Sequence, residues 1–222
     1  MLQESQMFSF PALFAHRGAS LVAPENTLAA LQLAAALGAC CVECDIQLAA
    51  TGEAVIFHDN TLERTTNGTG VVEEKSYGEL LVLDAGSWFD EKYANTRIPL
   101  LSQWLQCAAQ HRLSLNLEIK ATDQVDCVVE VTLNEIAQHW SPELPALLIS
   151  STATDILQAC YDRAPQLPLA LISDTWLPDW KDVLTDFHCI SWHVRKSLLT
   201  KNRIQAVNAA GFRLLAYTVN DK

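Results

Sequence analysis

Positive charge is scarce in this chain: its 222 residues carry 15 Lys and Arg against 26 Asp and Glu, a formal net charge of −11. That balance excludes a general surface for nucleic acid or anionic membrane, so an anionic ligand must be met by a few locally placed cations. No apolar run approaches the ~20 residues that span a bilayer. The opening MLQESQMFSF has neither the basic start nor the long apolar stretch of a signal peptide. Seven cysteines, including the adjacent Cys40 and Cys41, are odd in number and show no CxxC spacing. This argues against a disulfide framework and for free, mostly buried thiols in a reducing compartment. The absences together predict a cytoplasmic protein with no nucleic-acid partner and no stable membrane association. They leave its oligomeric state open.

What is present is apolar content: half of the residues are hydrophobic, enough for one large core and a single domain over 1–222. Strand-like runs at Ala12–Ala15, Ala39–Gln47, Glu53–His58, Leu113–Ile119, Ala146–Ser150, Leu167–Ile172, Cys189–Trp192 and Phe212–Val219 alternate with helical stretches. The helices are expected at about Glu25–Leu37, with Asn26 and Thr27 suited to its start, then Leu101–Gln110, Gln124–Trp140, Thr152–Tyr161 and Ser197–Ala210. Alternating strands and helices favour a parallel sheet, and a TIM-type (β/α)8 barrel is its closed form. A doubly wound open sheet is disfavoured because HRGAS, and not a glycine fingerprint, follows the first strand.

Two departures from a regular barrel are legible. The stretch from Asp45 to His58 is too short for a parallel crossover, and Thr51-Gly52 suits a turn, so a hairpin is expected there. Residues 60–97 contain Gly68, Gly70, Gly78 and Gly86 without sustained periodicity, and read as a small insertion on the rim after the third strand.

Charged residues interrupt otherwise apolar strands at positions where a barrel places its chemistry. With a strand period of two, Glu43 and Asp45 share one face, as do Glu118 and Lys120. A lone carboxylate of this kind is usually an ion pair or a helix cap. Three of them on inner faces call for a cation, because burying an unpaired charge costs several kcal/mol. An oxygen-only set suits Mg²⁺ or Ca²⁺ better than zinc. His16 and His58, each alone more often a packed core histidine, together at strand ends suit general acid and base work. Arg17 offers a planar fork to phosphate oxygens and Lys120 a point charge. His111 and His139 read as surface residues, His188 precedes a strand, and His193 is open to a pocket-lining or a packing role.

The motifs AHRGAS with PENT downstream, VECDIQ, VIFHDNTLERTTNGTG, LNLEIK and YTVN resemble those of the glycerophosphodiester phosphodiesterases, most closely the small cytoplasmic bacterial type. The resemblance runs from about Phe14 to the last residue. It implies hydrolysis of glycerophosphodiesters, such as glycerophosphocholine or glycerophosphoethanolamine, to glycerol 3-phosphate and an alcohol. The matching positions imply one divalent cation on Glu43, Asp45 and Glu118, with His16 and His58 as base and acid. Arg17 and Lys120 match phosphate-holding positions, and residues 60–97 match an insertion covering the glycerol end. Attack by the substrate's own hydroxyl, through a cyclic phosphate, is the family's route; water remains the alternative from the residues themselves. Such proteins continue past TVN with another helix and strand, whereas this chain ends at Lys222. The expectation is therefore a barrel lacking its closing strand, less stable or closed by a neighbouring chain. Competing functional readings are a lysophospholipase D-like enzyme and a non-catalytic phosphate-binding barrel.

Overall fold

A computed structural model describes residues 12–220; the N-terminal decapeptide read for a signal sequence lies outside them. Strand β1 (Cys41–Leu48) is buried on both faces. Its outward residues Val42, Cys44, Ile46 and Leu48 join the main hydrophobic core, and its inward residues include Glu43, Asp45 and Gln47. The same division recurs along β3 (Ser114–Ile119), where Leu115, Leu117 and Ile119 face the core and Asn116 and Glu118 face inward. Continuous burial of this kind marks parallel strands covered by helices.

Among the described residues the sheet has seven strands in the order β2-β1-β3-β4-β5-β6-β7, with β2 being Ala54–Ile56, β4 Leu147–Ser151, β5 Leu169–Ser173, β6 Cys189–Arg195 and β7 Arg213–Tyr217. All pairings are parallel except β1 with β2. This is the α/β barrel architecture, although no hydrogen-bonded ladder closes the sheet among the described residues. The expected hairpin is present: Ile46 pairs with Ile56, and the Phe57 N–H donates to the Asp45 carbonyl at 2.9 Å.

Helices α1 (Leu28–Ala36), α3 (Leu101–Gln110), α4 (Val125–His139), α5 (Thr154–Arg163) and α7 (Lys201–Ala209) lie close to the expected stretches, while α2 (Tyr77–Leu81) and α6 (Trp180–Asp186) fall where none was expected. Thr27 caps α1, its hydroxyl accepting the Ala30 N–H at 3.2 Å. Helix α2 is short but starts on a capping box between Ser76 and Glu79.

One expectation needs correction. Ala12–Ala15 forms no strand but a single parallel bridge, Ala15 to Val42. Upstream, Leu13 is 83% exposed, and downstream the backbone turns at once through left-handed conformations at Arg17 and Gly18. A Cβ on Gly18 would lie 2.7 Å from the Ala30 Cβ, so glycine is required where the turn meets α1.

Between β2 and α3, a second hydrophobic cluster gathers Val55, Phe57, Leu62, Val72, Leu80, Ala85 and Ile98. Residues 60–97 are thereby anchored on the outer side of the hairpin, beside the strand ends. No helix among the described residues is long and apolar enough to cross a membrane.

Candidate active site

The inward faces of β1 and β3, the segment just after β2 and the turn after Ala15 converge on one cavity of about 750 Å³, lined by His16, Arg17, Glu43, His58, Glu118 and Lys120 among others. Asp45, fully buried, lies directly beneath: parallel pairing sets it opposite Glu118. The structure thus brings together all seven residues singled out from the sequence.

Glu43, Asp45 and Glu118 each offer a carboxylate oxygen, and these atoms lie within 4.8 Å of one another. Burial, with Asp45 and then Glu118 beside it, pushes the Glu43 carboxyl well above the ordinary carboxylate range. Glu118 is raised for the same reasons, burial first and then Asp45, despite Lys120 nearby. Glu43 Oε1 is buried without a hydrogen-bond partner. Two carboxyls that resist ionisation, Glu43 and Glu118, and an unused oxygen on Glu43 fit a cation.

The turn after Ala15 delivers two groups. The Arg17 backbone N–H donates to Glu43 Oε2 at 2.8 Å, fixing that carboxylate. The Arg17 side chain donates through Nη1 to Glu25 at 2.8 Å, while its Nε lies 3.5 Å from Asp45 Oδ2 and has no hydrogen-bond partner. His16 sits 3.8 Å from Glu43, and its Nδ1 is 3.4 Å from the Thr218 hydroxyl. Burial, then the Arg17 charge, lowers its pKa to about 4, so the imidazole is neutral near pH 7.

Just past β2, at the open end of the hairpin, His58 Nδ1 meets Asp59 Oδ1 at 2.5 Å. The contact leaves Nε2 for the cavity. Lys120 lies just past β3 and reaches back to Glu118 at 2.8 Å and Asp45 at 3.4 Å. Burial opposes its charge, but Asp45 and Glu118 more than offset this and raise its pKa.

Three positions that sequence reasoning passed over support these groups. Asn26, read only as suiting a helix start, donates to Asp45 Oδ2 at 2.8 Å. Buried Gln47 donates to the carbonyls of Phe57 at 2.9 Å and Asp59 at 2.7 Å, holding the chain on both sides of His58. Glu25 holds Arg17. The one available signal was that PENT and VECDIQ place polar residues inside apolar surroundings.

Of the remaining histidines, His193 lines the cavity wall, buried, with Nε2 3.2 Å from the Ser191 hydroxyl. His111 is exposed, whereas His139 is half-buried in an ion pair with Glu135 and His188 stacks on Tyr161. None of these three meets the carboxylate cluster.

The family model described as the glycerophosphoryl diester phosphodiesterase family matches residues 16–222. A glycerophosphodiester phosphodiesterase of Caldanaerobacter subterraneus subsp. tengcongensis is 32% identical over 210 residues, covering 95% of this chain and 86% of the relative. Among solved structures, a phosphodiesterase of Oleispira antarctica in complex with the product sn-glycerol-3-phosphate superposes with a TM-score of 0.93 at 35% identity, covering 95% of this chain and 85% of that one. A glycerophosphodiester phosphodiesterase of Agrobacterium tumefaciens gives a TM-score of 0.76 at 27% identity, with 96% and 89% covered.

Proposed function

The chain belongs to the glycerophosphoryl diester phosphodiesterase family of phosphoric diester hydrolases, and from that premise we propose that it cleaves glycerophosphodiesters, such as glycerophosphocholine or glycerophosphoethanolamine, to glycerol 3-phosphate and an alcohol. The observation that carries this reading is the meeting of three carboxylates, two imidazoles, a guanidinium and an ammonium around one cavity. The product found in the Oleispira antarctica relative supports the glycerol 3-phosphate half of the substrate.

Glu43, Asp45 and Glu118 would hold one divalent cation, Mg²⁺ or Ca²⁺, whose bound charge offsets that gathering on the phosphate oxygens. Arg17 and Lys120, both lining the cavity, bind and orient the phosphate from the protein side. His16, neutral because its pKa is lowered, takes the proton from the attacking hydroxyl of the substrate or of water. His58 gives a proton from Nε2 to the departing alcohol oxygen, and Asp59 on Nδ1 orients the ring for this role. Residues 60–97 are read as an insertion in a single barrel domain, covering the glycerol end. Seven free cysteines support action in a reducing cytoplasm.

The test is direct: glycerophosphocholine incubated with the protein and Mg²⁺ or Ca²⁺ should yield glycerol 3-phosphate and choline. Release of choline from a lysolipid with none from glycerophosphocholine would replace this reading with a lysophospholipase D. No turnover of either would leave a phosphate-binding barrel.

A further inference from the structure

Arg64, on a turn of residues 60–97, places its whole guanidinium between two carboxylates. Nε and Nη2 donate to Asp59 Oδ2 and Oδ1 at 2.5 and 2.9 Å, and Nη2 and Nη1 donate to Glu25 Oε1 and Oε2 at 2.7 and 2.9 Å. Each of these acids has a second partner in the candidate site. Asp59 Oδ1 is 2.5 Å from His58 Nδ1, and Glu25 Oε1 accepts Arg17 Nη1 at 2.8 Å. The result is an unbroken chain of alternating charge, Arg17, Glu25, Arg64, Asp59 and His58, with Arg64 at its centre.

The anchoring is specific. Leu62 is buried in the second hydrophobic cluster, and its N–H donates to the Gly70 carbonyl at 3.0 Å, while the Val72 N–H donates to Asn60 at 2.9 Å. These contacts fix the turn beside the segment that carries His58. Lysine presents one point charge and cannot grip two carboxylates with a planar fork, whereas arginine can. The Arg64 side chain is 46% exposed, so its ion pairs add little to stability by themselves. Two bidentate grips at such a place make more sense as geometry than as stability.

We propose that Arg64 is a positioning residue that couples the proton donor to the phosphate arm: through Asp59 it sets the ring of His58, and through Glu25 it sets the guanidinium of Arg17. The proposal rests on His58 acting as the acid and Arg17 holding phosphate. Without Arg64, Glu25 keeps one bond from Arg17 Nη1 and Asp59 keeps its contact with His58, so both carboxylates lose their bidentate anchor at once.

Arg64→Gln should separate two substrates. Glycerophosphocholine releases an alkoxide that needs a proton, whereas a glycerophosphodiester of p-nitrophenol releases a phenolate that does not. The variant should lose roughly 10- to 100-fold in kcat on the choline substrate and only a few-fold on the nitrophenyl one. Inhibition by inorganic phosphate should weaken several-fold as Arg17 loosens. Arg64→Lys, which keeps the charge and one carboxylate, should show the same split at smaller size and serves if Arg64→Gln fails to fold. Equal losses on both substrates, or no loss on either, overturn the coupling role. A wild-type protein that releases no glycerol 3-phosphate overturns instead the functional reading on which the proposal stands.

Discussion

Asn26 grips Asp45 from two sides: its side-chain amide donates to Oδ2 at 2.8 Å, and its Oδ1 lies 3.4 Å from the Asp45 backbone N–H. The residue is buried and left-handed, with φ of 55°, a conformation asparagine tolerates better than most. Asn26→Ala would take from the buried Asp45 carboxylate its shortest hydrogen bond, leaving only the longer contacts to Lys120 and Arg17. Metal affinity should fall about 10- to 100-fold, the usual loss when a partner behind a ligand is removed. Calorimetric titration of Mg²⁺ or Ca²⁺ into the variant checks this, and unchanged affinity refutes it.

Glu43, Asp45 and Glu118 repel one another until a cation joins them. Removing one charge should therefore affect the metal-free and metal-loaded protein oppositely. With chelator present, Glu43→Gln should melt at or above the wild-type temperature. With Mg²⁺ or Ca²⁺ at about a hundred times its dissociation constant, wild type should gain about 2.7 kcal/mol, and the variant should gain little. Thermal unfolding with and without chelator measures both.

His193 is buried, and burial lowers its pKa to about 4. The unfolded chain holds a proton on this ring below about 6.5 while the folded chain does not, so stability is complete above that pH and falls as pH drops from 6.5 towards 4. The loss from this group is roughly 3 kcal/mol across the window. His16 titrates in the same direction, so the informative quantity is the difference between wild type and His193→Gln. Urea unfolding at pH 7.5 and pH 5 should show a shallower acid loss in the variant.

Gln47 satisfies two carbonyls with one amide nitrogen. Gln47→Met keeps the volume and removes the donors, which should cost about 1–3 kcal/mol for the buried acceptors left behind. The segment carrying His58 would also loosen. A fall of about 10-fold in kcat with little change in KM is expected, because His58 serves the chemical step and not ground-state binding.

Much of the arrangement was legible because charge inside an apolar strand is an unusual expense of free energy with few explanations. Glu43, Asp45 and Glu118 stand out from their neighbours, and a period of two puts Glu43 with Asp45 on one face and Glu118 with Lys120 on another strand's. The hairpin was readable from length alone, since so few residues cannot carry a parallel crossover. Ala12–Ala15 misled because an apolar run before a turn looks like a strand, and only long-range pairing shows that its ladder ends after one bridge. Helix α6, WKDVLTD, is too short and mixed to establish a period. Asn26, Gln47 and Arg64 remained hidden for a different reason. Their composition is ordinary for loops and strand faces, and their roles exist only in contacts across the fold.

The hairpin has a consequence for assembly. Glu43, Asp45 and His58 belong to one antiparallel ribbon whose contacts are local in the chain, while Glu118 comes beside Asp45 only when β3 pairs in parallel with β1. A ribbon of this kind forms within microseconds, and the parallel pairing must first close a far longer loop. Two of the three carboxylates are therefore neighbours through local contacts alone, and the third joins them only through a long-range one. Full affinity for a cation therefore requires that long-range pairing, and tight metal binding reports that β3 has joined β1.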